Sequence, residues 1–135
     1  LSEADGLHLG QQDLPVDEAR KVLNPNQITG RSNALLEEAL LSQSHQTDYI
    51  AVGSIFPTKT KENTRPAGLE TLKLIKNAVS YPVVAIGGIK KETAGEVIRA
   101  GADAICVSSA VGLAENPKAA VEELIEEIRK AENIR

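Results

Sequence analysis

The sequence predicts a parallel α/β fold, and three observations carry that prediction. Short apolar runs of strand length alternate with stripes of helical period along the 135 residues, the pattern of repeated β-α units. Aromatic residues make up only 2%, so the core must be built from Val, Ile, Leu and Ala, as buried parallel strands prefer. Three successive apolar runs then end in residues suited to anions. Tyr49 to Gly53 leads into Phe56-Pro57-Thr58-Lys59-Thr60-Lys61, Pro82 to Ile86 into Gly87-Gly88, and Ala104 to Val107 into Ser108-Ser109-Ala110.

In chain order, strands are expected over 4–9, 27–30, 49–53, 82–86 and 103–107. Between them, Val16, Ala19, Val22 and Leu23 form one helical face, and Leu35, Leu36, Ala39 and Leu40 a second. Leu69, Leu72, Ile75 and Val79 form a third, and Ala94, Val97 and Ile98 a fourth. The fourth stops at Ala100-Gly101, where a glycine can turn left-handed. Asn116-Pro117 reads as an N-cap with proline in the first turn, ahead of a stripe of Val121, Leu124, Ile125 and Ile128. The acidic run Glu122, Glu123, Glu126 and Glu127 is the wet face of that last helix.

With 41% hydrophobic residues the chain can bury one ordinary core, so 1–135 reads as a single domain. Hydroxyls, bare amides and lysines at successive strand ends are how a parallel β/α barrel holds a phosphorylated substrate. An eight-stranded barrel typically takes ~250 residues. Five units alone would leave two open edges, met by a truncated remainder or by another copy of the chain. A doubly wound open parallel sheet is the alternative, but its glycine-rich turn usually follows the first strand, whereas here the glycine pair comes late.

The net charge of −4 argues against nucleic acid and anionic membranes as partners, and no run approaches the ~20 apolar residues of a spanning helix. Cys106 is the single cysteine, which excludes an internal disulfide and fits a reducing, cytoplasmic compartment. Leu1 and the absence of Met imply that the natural N-terminus is missing. His8 alternates with Leu7 and Leu9 and reads as a hydrogen-bonded structural histidine facing the other side of its strand. His45 reads as a helix-end residue, and Cys106, between Ile105 and Val107, as a small core residue. No zinc spacing or nucleophilic triad order is present.

The ordered set Ala4-Asp5-Gly6-Leu7-His8-Leu9-Gly10-Gln11-Gln12-Asp13-Leu14-Pro15, Gly30-Arg31-Ser32, Gly53 to Lys61, Ala85-Ile86-Gly87-Gly88-Ile89 and Ala100 to Ala104 resembles the thiamine phosphate synthase family from end to end. The resemblance implies a TIM (β/α)8 barrel of which strands 4 to 8 are present and the first three β-α units absent. It implies a transferase that joins hydroxymethylpyrimidine pyrophosphate to a thiazole phosphate, with Mg2+, through dissociative departure of pyrophosphate. Asp13 matches a Mg2+ ligand, a hard oxygen donor suited to that ion; it can equally cap the helix beginning near Pro15. Lys61 matches the lysine that holds pyrophosphate, with Thr58 and Thr60 as further phosphate donors, although Lys59, Lys61 and Arg65 also fit a solvated charged loop. Ser32 matches a serine that contacts the pyrimidine, while Ser32 or Asn33 can instead cap the next helix. Gly88, Ser108 and Ser109 match the thiazole phosphate site, although glycine pairs are often plain turns and paired serines plain caps.

The chain departs from the family at Arg31 and Ala34, where synthases often read Gly-Val-Ser-x-His-Thr. Gly-Arg-Ser also opens the motif of the TenI-like aminopyrimidine aromatases, yet those carry a histidine where Ala34 stands and usually lack the aspartate. A Gln-Leu-Arg-x-Lys pyrophosphate grip and a second acidic Mg2+ ligand would come from strands before Leu1, so the chain alone is expected to be inactive. A non-catalytic binder of thiamine precursors and another phosphate-binding barrel enzyme are the remaining alternatives.

Overall fold

The computed structural model describes residues 2–59, 62 and 65–134. Lys61 and Thr60, two of the expected phosphate ligands, lie outside the described residues. Five strands, β1 (Gly6–Leu9), β2 (Ile28–Asn33), β3 (Tyr49–Val52), β4 (Val83–Ile86) and β5 (Ala104–Cys106), form one parallel sheet in the order of the chain. The crossovers run through α1 (Val16–Arg20), α2 (Leu36–Ser44), α3 (Gly68–Ala78) and α4 (Lys91–Arg99). Two more helices, α5 (Ser109–Gly112) and α6 (Pro117–Glu132), follow β5. The strand order never reverses, which sets this sheet apart from the doubly wound alternative. β1 and β5 are its edges.

Strand alternation decides what is buried. Leu9, Ile50, Val52, Val83 and Ala85 face the helices and are fully or almost fully buried, together with Leu72 and Ile75 of α3 and Ala94, Val97 and Ile98 of α4. Val16 and Ala19 of α1 pack with Leu9 in a separate small cluster. The opposite parity carries His8, Val84, Ile86, Ala104 and Cys106, which are half-buried or exposed, and Ala51, which is buried. Cys106 is therefore not a core residue. In β5 it is Ile105 that turns to the helices, and period two sends its neighbour to the open face.

Several helix boundaries follow local chemistry. Gly101 stops α4 at φ 116°, Asn116 Oδ1 accepts the Ala119 amide at 3.1 Å ahead of Pro117, and His45 terminates α2. Against α4, α6 lays Ala131, fully buried, on Gly95, where a Cβ would lie 3.7 Å from that of Ala131. Other stripes are narrower than expected. α1 ends at Arg20 and leaves Val22 79% exposed. Leu35 and Leu40 of the second face, and Val121 and Ile125 of the last, are exposed as well. Among the described residues no helix is long and apolar enough to cross a membrane.

Candidate active site

The five strands are parallel, so everything just beyond their carboxyl ends gathers at one end of the sheet. Asp13 follows β1, Ser32 is the second-to-last residue of β2, Thr58 follows β3, Gly88 follows β4, and Ser108 and Ser109 follow β5.

Beyond β1 the chain turns tightly, the Asp13 amide donating to the Gly10 carbonyl at 3.3 Å and the Gly10 amide to Asp13 Oδ2 at 2.6 Å. The carboxylate thus closes its own turn and does not cap α1, whose N-cap is Pro15 with no side-chain bond. The Asp13 side chain is exposed, and Oδ1 has no partner among the described residues. Gln11 ties this turn to β2, its Nε2 donating to the Ser32 carbonyl at 2.7 Å and to Asn33 Oδ1 at 3.3 Å. Asn33, buried, donates to the carbonyls of Arg31 and Ala51 and accepts the Ser42 hydroxyl at 2.7 Å. Arg31 is 8% exposed, its Nη2 lies 3.5 Å from Gln11 Oε1, and its Nε has no partner among the described residues.

Neither Ser32 nor Asn33 caps α2, because both belong to β2. Leu35 stands at the N-cap, and Glu38 reaches back to accept the amides of Ala34 at 2.7 Å and Leu35 at 3.3 Å. Ser32 Oγ instead meets His8 Nε2 at 2.7 Å, and His8 Nδ1 meets the Tyr49 hydroxyl at 2.8 Å. His8 is thus a hydrogen-bonded residue of the open face, as its alternation predicts.

The loop after β3 is fastened at its base. Ile55 and Phe56 donate their amides to the carbonyls of Ile86 and Gly87, each at 3.0 Å, while the Ser54 amide donates to the Arg65 carbonyl at 2.9 Å. Arg65, though exposed, then pairs with Glu38 through bonds of 2.6 and 3.0 Å. Burial raises the Glu38 pKa, but the Arg65 bond, the Ala34 amide and the arginine charge outweigh it and hold the carboxyl below its usual value. Gly87 and Gly88 have φ of 106° and 63°. A Cβ on Gly88 would lie 2.7 Å from the Pro57 carbonyl oxygen, so this glycine seats one loop against the other. Ser108 and Ser109 are exposed, and the Ser108 side chain makes no cap bond to α5. Among the described residues no group of three His, Cys, Asp or Glu side chains is placed to hold a metal.

The same residues are matched by a family model. A model described as thiamine monophosphate synthase covers residues 1–111. The chain belongs to this family. The thiamine-phosphate synthase of Pyrococcus furiosus is 50% identical over 122 residues, covering 90% of this chain and 58% of that protein. That of Shouchella clausii is 45% identical over 130 residues, covering 96% and 62%. The solved structure of thiamine phosphate pyrophosphorylase from Pyrococcus furiosus superposes with a TM-score of 0.88 at 44% identity, covering 95% of this chain and 61% of that one. A 3-hexulose-6-phosphate synthase shares the fold at TM-score 0.72 and 20% identity. The chain therefore spans about three fifths of the length of the family members it matches. Sequence reasoning names Gln11 only within the matching set, Arg65 only within a charged loop and Glu38 only as an acid suited to the start of a helix; it misses the contacts of Gln11 with Ser32 and Asn33 and of Arg65 with Glu38, which join residues far apart in the chain.

Proposed function

We propose that the protein carrying this chain is a thiamine phosphate synthase, a transferase joining hydroxymethylpyrimidine pyrophosphate and thiazole phosphate with release of pyrophosphate. The observation that carries this reading is the convergence of Asp13, Ser32, Thr58, Gly88, Ser108 and Ser109 on the carboxyl ends of five adjacent parallel strands, in a chain 50% identical to a thiamine-phosphate synthase. Carboxyl ends are where barrel enzymes build their sites. The five β-α units are strands 4 to 8 of a barrel, an assignment supported by the unreversed strand order and by the uncovered edges β1 and β5. Further β-α units of the same protein close those edges, a second copy of the chain being the other arrangement that could.

Departure of pyrophosphate accumulates negative charge on the leaving group, so the site has to supply fixed positive charge and oriented donors. In this reading Lys61 follows the leaving group on its flexible stem, with Thr58 and Thr60 donating to its oxygens. The amide at Gly88 and the exposed Ser108 and Ser109 take the thiazole phosphate. Asp13 fits a Mg2+ ligand: it is an exposed hard oxygen donor with Oδ2 oriented by the Gly10 amide and Oδ1 unpartnered among the described residues. Bound there, Mg2+ would neutralise phosphate charge. The remaining ligands and a Gln-Leu-Arg-x-Lys grip come from elsewhere in the protein, so the 135-residue chain alone forms no thiamine phosphate. The compartment in this reading is the cytoplasm.

The TenI-like aromatase reading rests on Gly30-Arg31-Ser32, but Ala34 offers no side-chain acid or base. A non-catalytic binder of the same precursors would tolerate loss of the metal site but keep the phosphate loops, and would show no turnover to lose. Lys61→Ala in the complete protein separates these readings. Turnover should fall by orders of magnitude with thiazole phosphate binding retained; unchanged turnover overturns the role of Lys61.

A further inference from the structure

A row of hydrogen bonds crosses the open face of the sheet from Tyr49 through His8 to Ser32. Register sets it up: His8 of β1 lies beside Gly30 of β2, and Gly30 beside Tyr49 of β3. Tyr49 and His8 are thus separated by a whole strand, and they meet only because the intervening residue has no side chain. A Cβ on Gly30 would overlap the Tyr49 ring. The phenol lies across Gly30, its ring 5.7 Å from the His8 imidazole and inclined by 21°, and its hydroxyl reaches Nδ1 at 2.8 Å. The far nitrogen, Nε2, meets Ser32 Oγ at 2.7 Å.

The chain has one favoured polarity. Burial, and then the charge of Cys106, push the Tyr49 pKa up, so the phenol keeps its proton. A phenol is a good donor and a poor acceptor, and its contact here is an imidazole nitrogen. Tyr49 therefore donates to Nδ1, which places the His8 proton on Nε2, and Nε2–H donates to Ser32 Oγ. The Ser32 carbonyl is already taken by Gln11. With its oxygen accepting from His8, the Ser32 hydroxyl has its own proton to give.

We propose that Tyr49 and His8 are positioning residues that fix Ser32 as a hydrogen-bond donor, selecting a substrate that presents an unprotonated heteroaromatic ring nitrogen. The inference rests on the reading of Ser32 as a pyrimidine contact. It names the atom recognised, a bare ring nitrogen in place of an exocyclic amine, which the opposite polarity would select. A site built to donate discriminates strongly against an analogue with C–H at that position, because the donor is then left unpaired.

Two measurements test it. Long-range 1H–15N spectra of the 135-residue chain report the tautomer of His8, with His8→Gln assigning its signal against His45, the only other histidine. The expected result is a proton on Nε2 and a bare Nδ1, with the preference lost in Tyr49→Phe; a proton on Nδ1 overturns the polarity. In the complete protein, His8→Gln and Tyr49→Phe should each raise KM for the pyrimidine substrate by about tenfold, leaving KM for the thiazole phosphate and kcat nearly unchanged. An analogue with the ring nitrogen replaced by C–H should bind wild type and Tyr49→Phe equally poorly. If Ser32→Ala raises the pyrimidine KM while Tyr49→Phe and His8→Gln match wild type, the relay fails and the Ser32 reading stands. If Ser32→Ala has no effect, the Ser32 reading itself falls, and the relay's function with it.

Discussion

Arg65 grips Glu38 with both terminal guanidinium nitrogens, Nη1 to Oε1 at 2.6 Å and Nη2 to Oε2 at 3.0 Å. The same carboxylate accepts the amides of Ala34 and Leu35 at the start of α2. One side chain thereby joins the end of the β3 loop to the helix that follows Ser32. The two partners differ in what they would cost to lose. Glu38 is largely buried and Arg65 half exposed, with side-chain exposures of 17% and 52%. Glu38→Ala removes a helix cap as well as an ion pair and should lower unfolding stability by about 1–2 kcal/mol. Arg65→Ala removes only a partly solvated pair, worth no more than about 1 kcal/mol. Urea unfolding of both variants checks the ranking; equal losses would show that the cap contributes nothing.

Acid should expose the same carboxylate. Because the folded state holds the Glu38 pKa below its ordinary value of 4.5, the unfolded chain binds its proton first as pH falls. Its contribution to stability is therefore complete above that value and disappears as pH drops through the folded pKa. Stability measured against pH for wild type and Glu38→Gln should run parallel near neutrality and converge below about pH 4.5. Curves that stay parallel down through the acid range would remove the pair from this account.

Gly88 and Gly68 both have positive φ, 63° and 79°, but only one is crowded. An alanine Cβ at Gly88 would meet the Pro57 carbonyl oxygen at 2.7 Å, whereas at Gly68 nothing lies within 4 Å. Gly68→Ala should cost only left-handed backbone strain, about 1 kcal/mol. Gly88→Ala adds a clash with main chain and should cost about 2–3 kcal/mol. Comparable midpoints in thermal unfolding would contradict the packing assigned to Gly88.

Two aspartates fasten the opposite end of the sheet. Asp48 Oδ2 accepts the Thr29 amide at 2.6 Å and Arg20 Nη2 at 2.5 Å, and Asp103 Oδ2 accepts the Val83 amide at 2.8 Å and Lys76 Nζ at 2.6 Å. Each binds the start of the neighbouring strand to a helix, far from the carboxyl ends. Asp48→Ala and Asp103→Ala should each lower stability by about 1–2 kcal/mol and, in the barrel proposed above, leave turnover of the complete protein unchanged, since that end of a barrel serves stability. A selective drop in kcat at full folding would refute the division.

The Tyr49 phenol should titrate above its ordinary 10.0, because burial and then the Cys106 charge disfavour the phenolate. Ultraviolet titration in a Tyr81→Phe background isolates it. Stability from this group is complete below about pH 10 and declines as pH rises through the folded value. Gly30→Ala should displace the ring and return the titration toward 10.0; an unmoved titration would mean that Gly30 is not what admits the phenol.

The sequence by itself determined what is local. Alternation within a strand set the face of His8, Gly101 stopped α4, and Asn116 with Pro117 opened α6, because each depends on atoms within a few residues along the chain. It also determined which strand ends carry hydroxyls, glycines and the aspartate. The tertiary structure decided the rest. Glu38 caps α2 in place of Ser32 or Asn33 because β2 extends to Asn33 and Arg65, 27 residues away, arrives to orient the carboxylate. Cys106 is exposed because the helices cover only one face of the sheet. Tyr49 reaches His8 because register lays both beside Gly30. Such contacts are set by which strands become neighbours and in what register, and a local hydrophobic period carries no record of either.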